Sequence, residues 1–183
     1  LGCFLHLLAP KGNRMPGDFV TLQWTERGTI QLLDQTRLPL EEVYLECAAI
    51  EEVAHAIRTL QVRGAPAIGI AAAMALAMGA RSSQAMSRAA FFGELDRMAD
   101  QLIRTRPTAV NLAWAVRRML RVAHEVGSAR PSEIAERLTA EATAMLEEDL
   151  RINRAIGSHG QTLVPDPARI LTHCNAGGLA TAG

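Results

Sequence analysis

Apolar and polar residues alternate in short segments near the start of the chain. Residues 20–24 and 29–33 show this pattern, which is typical of strands with one buried face. Gly28 ends the intervening segment and can supply the positive φ of a hairpin loop. A further apolar segment at residues 43–47 predicts a third strand. The pattern therefore predicts a small antiparallel sheet.

From residue 50 the apolar period becomes that of a helix. Residues 50–62 place one set of side chains on a single face, with charged residues opposite; the set is Ile50, Val53, Ala54, Ile57, Leu60 and Gln61. Further helices are predicted at residues 87–104, after Thr108, and at residues 132–157. The helix after Thr108 carries an arginine-rich face, including Arg118, that we expect to be solvated.

Residues 65–80 are apolar nearly all round. This segment is shorter than the roughly 20 residues that cross a bilayer. Its small side chains instead favour a helix buried against neighbouring helices, and they disfavour membrane insertion.

The segment of residues 168–178 brings a thiol to a glycine-rich turn. Ile170 and Leu171 predict a short buried strand, and Gly177 and Gly178 give the backbone freedom for a tight turn. Cys174 would then lie at the carboxyl edge of a sheet, where reactive groups of α/β proteins occur. This segment alone supports a catalytic cysteine and a buried structural cysteine equally. His173 is expected to be a supporting residue.

Arginines precede the start of two predicted helices. Arg63, Gly64 and Ala65 precede Pro66, and proline suits a first helical turn. Gly64 allows close approach of a ligand to the backbone, and the Arg63 guanidinium could bind phosphate or sugar oxygens. Many helices begin in this way without a ligand, so the pattern alone is weak.

Arg106 lies before the second of these helices, and it is followed by Pro107 and the expected N-cap Thr108. A ligand-binding arginine and a surface arginine paired with a carboxylate both fit this position. Asn111 and Trp114 are expected to pack against this turn and brace it.

Composition narrows the class of protein. The chain has 183 residues, 49% of them apolar, and a formal net charge of zero, which fits one globular domain and not a nucleic-acid-binding protein. Its three cysteines, Cys3, Cys47 and Cys174, lack metal-ligand spacing, and the helical histidines have no ligand partner at i+4; these are His55, His124 and His159. The cysteines predict a reduced, cytoplasmic protein, and no metal is expected. The acidic run at residues 147–149 is expected to be solvated and is assigned no chemistry.

Three motifs in order carry a family resemblance: Arg-Gly-Ala-Pro-Ala-Ile-Gly at residues 63–69, Arg-Pro-Thr-Ala-Val-Asn-Leu at 106–112, and Thr-His-Cys-Asn-Ala-Gly at 172–177. The chain resembles the methylthioribose-1-phosphate isomerases of methionine salvage. The resemblance implies a catalytic Cys174, substrate binding by Arg63, Gly64, Ala65 and Arg106, and no metal or organic cofactor. It also implies a sugar-phosphate substrate, no nucleic-acid or membrane partner, and a homodimer for a full-length protein.

The expected fold is α+β: a small antiparallel sheet, then a helical bundle, ending in the first strand of a truncated α/β Rossmann-like domain. The expected divisions are an extension at residues 1–14, the N-terminal β-plus-helical domain at 15–165, and the start of the α/β catalytic domain at 166–183. The family's second half carries an essential aspartate, so we expect the chain to be an incomplete isomerase. Residues 179–182 are expected to form an exposed tail.

Three alternatives stay open. Ribose-1,5-bisphosphate isomerases share a similar cysteine motif and the stretch that begins at Arg106, although residues 63–69 favour the methylthioribose enzymes. Regulatory subunits of translation initiation factor 2B are non-enzymatic relatives, and they are not expected to keep Arg63 and Cys174 in these contexts. The third alternative is a helical N-terminal domain without activity of its own.

Overall fold

The structure, a computed structural model, describes residues 19–183. In chain order its strands and helices are β1 Leu22–Trp24, β2 Ile30–Leu33, β3 Tyr44–Cys47, α1 Ile50–Arg58, α2 Ala65–Ser82, α3 Arg88–Ile103, α4 Val110–Glu125 and α5 Pro131–Gly160. Two short 3-10 helices follow, Gln161–Leu163 and Gly178–Ala180. The α+β prediction is confirmed. The expected extension at residues 1–14 lies outside the described residues.

The three strands form the predicted antiparallel sheet, in the order β1-β2-β3. Leu32 of β2 pairs with Leu22 on one side and Leu45 on the other, and all three side chains are buried. Because alternate residues of a strand point to opposite faces, this register gathers the apolar side chains on one face. That face joins the helical core.

Helix α2 is the centre of the core and contacts the other four helices. Its side chains from Ala67 to Met78 are all buried, as the apolar pattern predicts. By length and composition alone α2 could cross a membrane, but 72% of it is buried inside the protein. Such burial is typical of the core helix of a globular domain.

Helix α1 ends four residues before the predicted boundary. Leu60 adopts φ 63°, and the N–H of Gln61 donates to the carbonyl of Ala56 at 2.9 Å, which is a Schellman C-terminus. The chain then turns toward the end of β2, where the Gln61 side chain donates to Asp34 Oδ2 at 3.1 Å. Residue 61 is therefore part of a loop and not of the apolar helix face.

The predicted strand around Ile170 is wrong. Residues 168–173 form no strand, and Ile170 and Leu171 are 77% and 98% exposed. No described strand lies alongside them, and a lone strand would leave its backbone donors and acceptors unpaired. The Rossmann-like sheet is accordingly not formed in the described residues.

The start of two helices also differs from prediction. Helix α4 begins at Val110, and its N-cap is Ala109 and not Thr108. A turn precedes the helix, and the hydrogen bond from the N–H of Ala109 to the carbonyl of Arg106, at 2.9 Å, closes that turn. Helix α5 begins at Pro131, where the Glu133 carboxylate accepts the N–H of Arg130 at 2.8 Å.

Overpacking of α2 provides a test of this core. Ala73 is fully buried, so we expect Ala73→Leu to lower the free energy of unfolding by about 1–3 kcal/mol. Ala89→Leu is the matched control because Ala89 is exposed on α3. Urea denaturation measures both; an equal effect of the two substitutions would contradict the central position of α2.

Candidate active site

The N-terminus of α2 offers unused backbone donors. Gly64 is its N-cap, with φ 101°, and no side chain caps the helix. Within residues 19–183 the N–H groups of Ala65 and Ala67 donate no hydrogen bond. Donors of this kind, together with the helix dipole, favour an anion or a ligand oxygen.

Arg63 lies beside this helix end and is half-buried. Its Nη2 donates to the main-chain oxygen of Gln35 at a long 3.5 Å. Its Nε is buried and has no hydrogen-bond partner among the described residues. The guanidinium therefore keeps donor capacity that a phosphate or carboxylate could use.

The last residues of the chain cover Gly64. A Cβ on Gly64 would lie under 3.0 Å from the Cα, C and O atoms of Ala180, so only glycine allows this approach. Ala180, Thr181 and Ala182 are buried. The predicted exposed tail at residues 179–182 is therefore wrong.

Three side chains hold this terminal segment, which we define as residues 178–182. Thr21 Oγ1 donates to the carbonyl of Gly178 at 2.6 Å, and Gln35 Nε2 donates to that of Leu179 at 2.7 Å. Asp149 Oδ2 accepts the N–H of Ala182 at 2.8 Å. Because these partners satisfy its backbone groups, the terminal segment can be buried.

Cys174 lies on an exposed turn four residues before the terminal segment. Its backbone has φ 63°, a left-handed conformation that is uncommon for a residue with a side chain. His173 is also exposed. The cysteine is therefore accessible, which is a requirement for a group that acts on a substrate.

Arg106 lies in the turn between α3 and α4 and is half-buried. Within residues 19–183 its side chain makes no hydrogen bond or ion pair, so the alternative of a carboxylate-paired arginine has no support there. Trp114 is 51% exposed and Asn111 is exposed, and their bracing of this turn stays a prediction.

The structure brings some of the predicted site residues together. Arg63, Gly64 and Ala65 adjoin the terminal segment that follows Cys174. Arg63 and Arg106 precede α2 and α4, and these two helices are in contact. The carbonyl oxygen of Asn111, on α4, lies 3.0 Å from a Cβ placed on Gly69 of α2. In the described part of the chain no hydrogen bond or ion pair directly joins Cys174, Arg63 and Arg106.

Gln35 is a residue of this region that the sequence analysis missed. It is 1% exposed, and its Nε2 lies 2.7 Å from Leu179 O and 3.5 Å from Arg63 O. Its Oε1 is buried and has no hydrogen-bond partner in the described chain. The signal in the sequence is a polar pair, Asp34 and Gln35, directly after the apolar residues of β2.

Arg118 was also misjudged as part of a solvated face. Its Nε and Nη1 pair with Glu141 at 2.7 Å and Glu148 at 2.8 Å. Burial lowers the pKa of Arg118, but hydrogen bonds to Glu148 and Glu141 outweigh burial and hold the pKa above its usual value. The acidic run is therefore only partly solvated, since Glu148 binds Arg118 and Asp149 binds the terminal segment.

Residues 19–183 contain no cluster of three or more His, Cys, Asp or Glu side chains that could hold a metal ion.

The chain belongs to the initiation factor 2 subunit family, whose model matches residues 61–182. This match covers the start of α2, the turn that contains Arg106, Cys174 and the terminal segment. The expected membership of this superfamily is thereby confirmed.

Among its relatives are enzymes with curated names. The chain is 53% identical to the methylthioribose-1-phosphate isomerase of Geobacter metallireducens over 165 residues, which are 90% of this chain and 47% of that protein. It is 49% identical to the isomerase of the same name from Pelotomaculum thermopropionicum, over 89% of this chain and 45% of that protein. The chain spans about half the length of the curated relatives it matches.

Solved structures show the same fold. The 5-methylthioribose 1-phosphate isomerase from Pyrococcus horikoshii has a TM-score of 0.83 and 37% identity, over 89% of this chain and 45% of that chain. The delta subunit of translation initiation factor eIF-2B from A. fulgidus has a TM-score of 0.79 and 39% identity, over 90% and 47%. These two solved structures therefore do not separate enzyme from factor, either by fold or by identity.

Substitution of Gly64 tests the docking of the terminal segment. Gly64→Ala forces a side chain into a positive-φ position and against the Ala180 backbone, so we expect the free energy of unfolding to fall by about 1–3 kcal/mol. Gly157→Ala, in an open position on α5, should instead raise stability by up to about 1 kcal/mol. Thermal unfolding measures both; a harmless Gly64→Ala would show that Ala180 does not occupy this place.

Proposed function

We propose that this chain is the N-terminal half of a cytoplasmic aldose–ketose isomerase that converts 5-methylthioribose 1-phosphate to 5-methylthioribulose 1-phosphate. The observation that carries the proposal is the half-buried Arg63, with an unused Nε donor, at the uncapped start of α2. Identity of 53% to a curated methylthioribose-1-phosphate isomerase supports this substrate.

The proposed roles follow from donor chemistry. Arg63, Arg106 and the backbone N–H of Ala65 bind the phosphate and sugar oxygens, and Gly64 keeps the backbone close. Guanidinium and backbone donors can neutralise phosphate charge without proton transfer. A site of this kind fixes the C1 end of the sugar while a hydrogen moves from C2 to C1.

Phosphorylation at C1 prevents the easy ring opening of a free sugar, so the enzyme must assist that step. The net reaction then moves one hydrogen from C2 to C1 and the proton of the 2-hydroxyl to the released ring oxygen, and leaves the carbonyl at C2. Hydrogen moves either as a proton through an enolate-type intermediate or as a direct hydride shift. Cys174 serves as the proton donor, the acceptor or the stabilising group, together with an aspartate in the second half of the enzyme.

The second candidate is a non-enzymatic subunit of the translation initiation factor 2B type. It is favoured by the TM-score of 0.79 and the 39% identity to the delta subunit. Arg63, Arg106 and Cys174 weigh against it because a purely regulatory surface has no need of an accessible thiol or of spare phosphate-binding donors. We propose the isomerase, as a homodimer in its full-length form.

Phosphorus NMR of 5-methylthioribose 1-phosphate mixed with the 183-residue chain tests the proposal. We expect saturable binding, weakened about 10- to 100-fold by Arg63→Met, because a hydrogen bond to a charged group contributes about 1.5–3 kcal/mol. Arg58→Met, at an exposed position at the end of α1, is the control and should not change affinity.

Turnover reports on the thiol separately. If ketose phosphate appears, Cys174→Ala should abolish it, and the chain is catalytically sufficient. Binding without turnover would support a substrate-binding half. A chain that binds no sugar phosphate would contradict the proposal and leave the factor-type function.

A further inference from the structure

The loop that follows β2 runs beside the turn that leads to α2. The N–H of Gln35 donates to the carbonyl of Gln61 at 2.8 Å, and Gln61 Nε2 donates to Asp34 Oδ2 at 3.1 Å. Asp34 is buried, so its carboxylate fixes Gln61 inside the protein and away from competing water. The first part of the turn that carries Arg63 is therefore held by the two residues after β2.

The Gln35 side chain contacts two segments at once. Its Nε2 has two hydrogens to donate; it lies 2.7 Å from the carbonyl oxygen of Leu179 and 3.5 Å from that of Arg63. In return, Arg63 Nη2 donates to the main-chain oxygen of Gln35 at 3.5 Å. The two contacts between Gln35 and Arg63 are long, so each is weak by itself. Together they hold the arginine by its main chain and by its guanidinium.

Stability alone does not account for a glutamine at this position. Gln35 is buried, and its Oε1 has no hydrogen-bond partner in the described chain. An unpaired buried acceptor is costly, and this cost offsets the gain from the hydrogen bond to Leu179. An apolar residue of the same length would avoid the cost. The amide therefore indicates a role in function and not only in packing.

We propose that Gln35 is a positioning residue of the sugar-phosphate site, which orients the Arg63 guanidinium and holds the turn that carries it. Gln35 acts through Arg63 and not by touching the ligand. The inference rests on the proposed function, and it adds a residue that lies outside all three sequence motifs. An arginine that is already oriented loses less side-chain freedom when it binds a phosphate, so the ligand binds more tightly.

Thr21 provides a matched comparison on the same segment. Its Oγ1 donates to the carbonyl of Gly178 at 2.6 Å, next to the carbonyl that Gln35 binds. Thr21 is also fully buried. Within the part of the chain that the structure describes, no hydrogen bond joins Thr21 to Arg63. Loss of the Thr21 hydroxyl therefore affects the docking of the terminal segment alone, whereas loss of the Gln35 amide affects both the docking and Arg63.

The affinity of isosteric variants for the sugar phosphate tests the positioning role. Gln35→Met keeps the side-chain length and removes the amide, and Thr21→Val keeps the shape of threonine and removes the hydroxyl. In a phosphorus NMR titration with 5-methylthioribose 1-phosphate, we expect Gln35→Met to weaken binding about 3- to 10-fold, the usual effect of having to order one long side chain. Thr21→Val should leave the affinity close to that of the unmodified chain. Urea denaturation checks that both variants fold, and Gln35→Leu is a second amide-free variant with the same expected result.

A double-mutant cycle shows whether the effect passes through Arg63. In the Arg63→Met background the guanidinium is absent, so Gln35→Met should weaken binding no further than Thr21→Val does. The Arg63 Nε–H signal in nitrogen-15 NMR gives a readout without ligand. We expect Gln35→Met to raise the mobility of this N–H and Thr21→Val to leave it unchanged.

The outcomes separate the two claims. Equal affinities of Gln35→Met and Thr21→Val, or a Gln35→Met effect that persists in full without Arg63, would overturn the positioning role and leave Gln35 as a tether of the terminal segment. An Arg63 Nε–H that is equally mobile in both variants would also overturn it. A chain that binds no 5-methylthioribose 1-phosphate would overturn the proposed function, and the positioning role with it.

Discussion

The domain depends on a close approach between two backbones, at the point where Ala180 lies against the open face of Gly64. Any larger residue at position 64 would collide with Ala180, and its φ of 101° is accessible chiefly to glycine. Thr21, Gln35 and Asp149 hold the segment there through its backbone groups. The sheet, the start of α2 and the C-terminal half of α5 are thereby joined at one place.

This junction connects the elements that carry the proposed phosphate-binding and thiol groups. Gln35 contacts the main chain of Arg63 and of Leu179, so it couples the arginine turn to the segment that follows Cys174. Asp149 joins the same segment to α5. A proposed charge-binding group and a thiol-bearing turn are thus attached to one buried contact.

The sequence correctly predicted the features that depend on the local pattern of residues. The hairpin, the third strand and the buried α2 follow from alternation, helical period and small side chains, and all three are confirmed. The early end of α1 was missed because a left-handed leucine at position 60 leaves no glycine signal. The strand at Ile170 failed because a strand needs a neighbour, and the burial of Ala180 was missed because its partners lie far away in sequence. The catalytic and binding roles of Cys174, Arg63, Gly64, Ala65 and Arg106 stay predictions.

Amide hydrogen exchange of the unmodified chain tests the central contact most directly. The N–H of Ala182 donates to a carboxylate of α5 and lies in a buried segment, so the account predicts strong protection at residue 182. Exposed residues such as Leu171 supply the unprotected reference in the same spectrum. Exchange at Ala182 as fast as at Leu171 would show that the terminal segment is not docked on Gly64, and would contradict the account.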